Sequence, residues 1–142
     1  MNDDIIKWRE EFNTGIHRID LEHRIFLELM NSFKFALNTE RPKGELLRIL
    51  TEIEKYAVFH FISEENCMSM IDYPELKDHQ IHHFELLEQL NLVKYGEHEF
   101  SKFYDFLKDW FINHTVSEDM KLKEFVSENN IDINRIRYNI SV

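Results

Sequence analysis

The chain has 142 residues, 43% hydrophobic and 31% charged, with a formal net charge of −10 when histidine is counted neutral. That size suits one domain with one core, expected over 1–142, and the spread of acidic residues argues against phosphate backbones and anionic lipid headgroups, so neither nucleic acid nor membrane is an expected partner. No apolar run reaches the roughly 18 residues of a membrane span, the start Met1-Asn2-Asp3-Asp4 lacks a signal-peptide pattern, and the single Cys67 can make no internal disulfide, all of which fits a cytoplasmic protein.

Gly15, Pro42, Gly44, Pro74 and Gly96 are the only glycines and prolines, and they cut the chain into long pieces. Within the pieces apolar residues recur at alternating steps of three and four, the mark of a helix burying one stripe, and no stretch shows the two-residue period of a strand. After an N-terminal arm, the first stripe reads Ile16, Ile19, His23, Phe26, Met30, Phe33, Leu37. The second is Leu46, Ile49, Ile53, Ala57, His60, Glu64, Cys67, Ile71. Pro74 suits the first turn of a third helix, with Asp72 or Tyr73 as its cap. That helix carries Leu76, His79, His83, Leu86, Leu90, Val93, and the fourth carries Phe100, Phe103, Leu107, Trp110, His114. Short connections at 38–44, 72–74 and 95–97 make successive helices antiparallel neighbours, and the tail over 120–142 adds a short helix. The expected fold is therefore all-α, an antiparallel up-down-up-down four-helix bundle with an N-terminal arm and a short C-terminal extension.

Each stripe contains histidine, although an unpaired polar group in a core costs roughly 1 to 3 kcal/mol. One such histidine is ordinarily a satisfied core residue; the set is not. His60 and Glu64 are four apart, as are His79 and His83, which puts each pair on one helix face within reach of a common centre. With His23 and His114 in the other two stripes, all four helices aim a nitrogen donor at the same interior. Five imidazoles exceed what one tetrahedral ion takes, so two octahedral ions sharing carboxylate bridges are indicated, and iron or manganese rather than structural zinc. His17, His82 and His98 fall off the stripes or in a connection and are expected on the surface, as are Glu22 and Glu65. Asp20 is a candidate for capping or for supporting a ligand. Phe26, Phe59, Phe61, Phe111 and Met68 are expected in the core, with Cys67 as a small packed residue.

The segment Phe59-His60-Phe61-Ile62-Ser63-Glu64-Glu65, the run Tyr73-Pro74 followed by His79 and His83, the pair His114 and Asp119, and Ile19-Asp20-Leu21-Glu22-His23 preceded by Trp8 and Gly15 together resemble the hemerythrin family. The resemblance extends over nearly the whole chain up to Asp119, with motifs in matching order and spacing; where Glu22 stands the family usually has Gln. It implies two non-haem iron ions, one held by His79, His83 and His114, the other by His23 and His60, both bridged by Glu64, Asp119 and an oxo or hydroxo group. The ion with two imidazoles keeps a position open for dioxygen, and Trp110, with Phe111 and Phe26, would line the oxygen pocket. Asp119 lies five residues after His114, about 500° along a regular helix, so a bridging role requires a wide turn or π-bulge between Thr115 and Asp119.

Two carboxylates and one hydroxide leave a pair of ferrous ions net positive, and the chain has no Glu-x-x-His pair of the kind found in ferritin-like oxidising sites, which favours reversible binding over hard oxidation. The expected function is reversible dioxygen binding for storage, transport or delivery, without enzymatic turnover. The alternatives are a di-iron oxidoreductase acting on peroxide, nitric oxide or ferrous iron, an oxygen or redox sensor with a protein partner not identifiable from sequence, and an iron store.

Overall fold

The computed structural model describes residues 5–96 and 99–138; His98 and the extreme termini lie outside the described residues. Among the described residues all regular structure is helical and no strand occurs. A 3₁₀ turn, Glu10–Phe12, precedes α1 (His17–Asn38), α2 (Lys43–Met70), α3 (Leu76–Tyr95) and α4 (Phe100–Asn113). A π-helical turn, His114–Glu118, leads directly into α5 (Asp119–Glu128), and a short α6 (Ile133–Ile136) follows. Helix α1 packs on α2, α2 on α3, α3 on α4 and α4 on α1, closing a helical bundle. Among the described residues no helix is long and apolar enough to cross a membrane.

The buried stripes form two apolar clusters. One contains Phe26, Met30, Phe33, Leu50, Ile53, Ala57, Leu86, Leu90, Leu107 and Phe111, with Phe12 and Ile6 of the arm packed into it. The other contains Ile16, Ile19, Cys67, Met68, Tyr73, Leu122 and Ile133. Along α1, α2 and α3, and along α4 continued through the π turn into α5, the buried histidines fall between residues of the two clusters, so the polar site is closed off at both ends by packed side chains. The extension is part of this closure: Ile133 of α6 is buried, and Asn134 accepts from the His17 N–H at 2.9 Å.

Several local expectations are corrected. Pro74 lies in the turn before α3, not in its first turn, and the residue preceding the helix is Glu75, whose side chain makes no capping bond. The helix ends at Thr39, Ile71 and Asn129 share one closure. The residue after each, Glu40, Asp72 or Asn130, is left-handed (φ 53°, 54° and 53°). The next N–H then reaches the carbonyl five residues back: Arg41 to Ala36 at 3.0 Å, Tyr73 to Met68 at 2.9 Å and Ile131 to Val126 at 3.0 Å. No glycine marks these ends, which is why glycine and proline misplaced the boundaries. Phe59, expected in the core, is 48% exposed. The expected π turn after His114 shifts the phase of the fourth stripe, which Leu122 of α5 resumes.

Candidate metal centre

Gly15 and Asp20 set the entry of α1. Gly15 has φ +82°, which only glycine adopts without strain, and the Asp20 carboxylate accepts the backbone N–H groups of Thr14 (2.8 Å) and Gly15 (3.1 Å) and the Thr14 hydroxyl (2.7 Å). Asp20 thus ties the segment before α1 back onto its first turn, and the hydrogen bonds its carboxylate accepts all come from that segment.

His23, His60, Glu64, His79, His83, His114 and Asp119 are all buried and meet in one cluster. Donor atoms of Glu64, His79, His83 and His114 lie within 4.8 Å of one another, as do those of His23, His60 and Glu64, so two groups share Glu64. Glu64 divides its oxygens between them: Oε1 lies 3.0 Å from His83 Nε2, 3.5 Å from His79 and 3.7 Å from His114, while Oε2 lies 3.5 Å from His60 and 3.6 Å from His23. Asp119 divides in the same way, with Oδ1 2.9 Å from His79 and 3.3 Å from His114, and Oδ2 3.2 Å from His23. The five-residue step from His114 to Asp119 is taken up by the π turn, whose wider spiral returns Asp119 to the face of His114.

The donor set suits cations. Glu64 Oε2, Asp119 Oδ2 and His114 Nε2 are buried and make no well-aligned hydrogen bond, although each faces an opposing group of the cluster. Burial disfavours the charged forms of His23, His114, Glu64 and Asp119. Even so, the Asp119 and Glu64 carboxylates outweigh burial at His23, raised to about 10, and at His114, raised to about 9. Burial raises Glu64 less than the surrounding imidazoles lower it, and it ends well below the usual range; Asp119, burdened by burial and by Glu64, is likewise held low by His114 and His23. Without a cation this cluster therefore holds protons between its carboxylates and rings, and a cation can replace them.

Two ligand-type histidines are held from behind by carboxylates expected on the surface. Glu22 is buried, and its Oε1 accepts from His60 Nδ1 at 2.6 Å while Oε2 accepts from Arg18 Nε at 2.7 Å and Ser63 Oγ at 2.9 Å. Glu65, half-buried, accepts from His83 Nδ1 at 2.7 Å and from Gln80 at 3.2 Å. Each contact places a proton on Nδ1, so that a bound cation would meet the ring at Nε2, which on His83 otherwise donates to Glu64 at 3.0 Å. The only sequence signal for Glu22 is Arg18 one turn before it; the α2 partners come from the fold.

Aromatic rings lock the imidazoles in place. Phe61 stacks on His83 at 4.0 Å and 5°, and Trp110 on His114 at 4.5 Å and 9°. Phe111 meets His23 edge-on at 5.9 Å, and Phe26 meets His60 at 6.3 Å. The three residues expected to share one pocket are thus split: Phe26 and Phe111 wall the His23–His60 half, whereas Trp110 stands on the His114 half, bonded to the His82 carbonyl at 3.1 Å and lining an outer cleft of about 360 Å³. Cys67 is buried among apolar residues, and burial pushes its thiol up to about 11, as fits a packed rather than a reactive cysteine.

Residues 14–126 match the model of the hemerythrin HHE cation binding domain. The chain is 30% identical over 121 residues to a bacteriohemerythrin of Clostridium acetobutylicum, covering 79% of this chain and 94% of that one. It is 32% identical over 116 residues to hemerythrin subunit alpha of Lingula anatina (82% and 91% covered), and 26% identical over 117 residues to a hemerythrin-like protein of Naegleria gruberi (82% and 89%).

Proposed function

Because the chain belongs to the hemerythrin family, whose HHE domain binds a non-haem di-iron centre with an oxo or hydroxo bridge, we propose that it binds dioxygen reversibly as a store, carrier or local supplier rather than as an enzyme. The observation that carries this reading is the division of both carboxylates: Glu64 and Asp119 each offer one oxygen to each group of histidines. His79, His83 and His114 would hold one iron, His23 and His60 the other, with Glu64 and Asp119 between them. Two iron ions held there would supply the redox chemistry of the site, two electrons that dioxygen can take up and return.

The chain's own residues supply the rest. Five neutral donors and two carboxylates leave two divalent ions poor in negative charge, which opposes deeper oxidation. Phe26 and Phe111, both buried, keep water from the half with fewer ligands. Glu22 and Glu65 hold two of the rings in the tautomer that binds metal. We read the whole chain as a single domain in which the four long helices alternate in direction. Supporting this, α1 and α3 pass from the cluster of Ile19 and Tyr73 towards that of Phe26 and Leu86, while α2, and α4 continued through the π turn into α5 with Leu122, pass the other way.

The test is the visible spectrum of iron-quantified protein, reduced anaerobically, exposed to oxygen and purged through several cycles. The expected result is a charge-transfer band that appears and disappears at two irons per chain. Irreversible conversion to ferric protein, with continuous oxygen consumption whenever reductant is present, would favour an oxidoreductase or sensor.

A further inference from the structure

The five imidazoles are not equally supported. His23, His79 and His114 have buried Nδ1 atoms without a hydrogen-bond partner. The carboxylate behind His83 is 24% exposed and shared with Gln80, whereas the one behind His60 is 4% exposed. Carboxylate strength depends on water: a buried acceptor draws the Nδ1 proton more strongly than a solvated one and leaves the ring a better donor at Nε2.

We infer that Glu22 is a positioning residue that feeds negative charge through His60 into the half of the site with two imidazoles, and that Arg18 attenuates that charge. Resting on the functional reading above, this makes the two metal positions electronically unequal, with the richer donor on the side proposed to meet dioxygen. Both Glu22 oxygens are committed. Oε1 takes the His60 proton, and Oε2 takes Arg18 and Ser63, so the carboxylate cannot turn away. Arg18 is 44% exposed and stands 5.8 Å from the Phe59 ring and 5.6 Å from that of Tyr138, held by the α2 surface and the C-terminal segment. It is therefore the replaceable member of the set.

The test uses full-length protein with cobalt(II) as the metal probe, followed by the iron-loaded form. Glu22→Gln keeps the side chain's size and an oxygen that can accept from His60, but removes the charge. It should weaken one of the two cobalt-binding steps at least about tenfold, the low end for a residue that supports a ligand, and leave the other step unchanged. It should shift one of the exchangeable Nδ1–H resonances of the cobalt protein and slow oxidation of the ferrous form. Arg18→Gln should move the same binding step and the oxidation rate the other way. A merely structural role predicts a different pattern: both steps weakened together, both variants acting in one direction, and a lowered melting point of the metal-free chain. That pattern, or equal cobalt binding by Glu22→Gln and wild type, overturns the inference while leaving the functional reading intact. Failure of the wild-type chain to bind two ions overturns both.

Discussion

Loading the site with metal should release protons, and their number follows from the cluster. His23 is raised to about 10 and His114 to about 9, from 6.5, so at about pH 7.5 both rings carry a proton against Glu64 and Asp119. The carboxylates, held well below their usual range, contribute none. About two protons per chain should therefore leave when both ions bind. Two displaced protons make the overall affinity about a hundredfold stronger per pH unit, a slope that fades as pH rises through about 9 to 10 and the rings become neutral. The stability of the metal-free chain runs the opposite way. Both rings have folded-state values above their unfolded one, so their ion pairs contribute fully below about 6.5, and that contribution is lost as pH rises through about 9 to 10. The assay is calorimetric titration with a divalent ion in buffers of different ionisation enthalpy, which counts protons directly. Release of none at about pH 7.5 would show that the rings are neutral before metal arrives and refute the reasoning.

Glu64→Gln removes the charge that both histidine groups share, and after stoichiometric loading and desalting the chain should retain at most one iron; retention of two would deny Glu64 its bridging place. Phe33, buried against Phe100, Phe103 and Tyr104, should cost about 3 to 5 kcal/mol when cut to alanine, read as a lower melting point, with the metal-to-chain ratio unchanged. Glu40→Gly should stabilise by roughly 0.5 to 1 kcal/mol, because relief of about 1 to 2 kcal/mol of left-handed strain exceeds the added freedom of the unfolded chain, and the melting point should rise by about 2 to 4 °C.

The centre was legible where ligands follow one another along a helix. His60 with Glu64, and His79 with His83, declare themselves because a step of four residues is nearly a full turn. The irregular step from His114 to Asp119 was legible as well, since no regular helix could satisfy it. Glu22 was not. It sits beside His23 and outside the stripe, and its burial is decided by Ser63 and His60, some forty residues later on a neighbouring helix. Glu65 was hidden for the same reason, and Phe59 failed in the opposite sense, an aromatic residue left on the outer surface by the rotation of α2. The helix ends at Glu40, Asp72 and Asn130 escaped because the left-handed position there is filled by ordinary side chains. The π turn also broke the stripe that would have carried the fourth helix on to Leu122.

The central claim is a two-ion site built by seven named side chains, and anomalous diffraction at the iron edge from anaerobically loaded crystals tests it most directly. Two peaks per chain are expected: one bound by the Nε2 atoms of His79, His83 and His114, the other by those of His23 and His60, with Glu64 and Asp119 each reaching both. A single peak, or two peaks with Asp119 turned away from them, would contradict it.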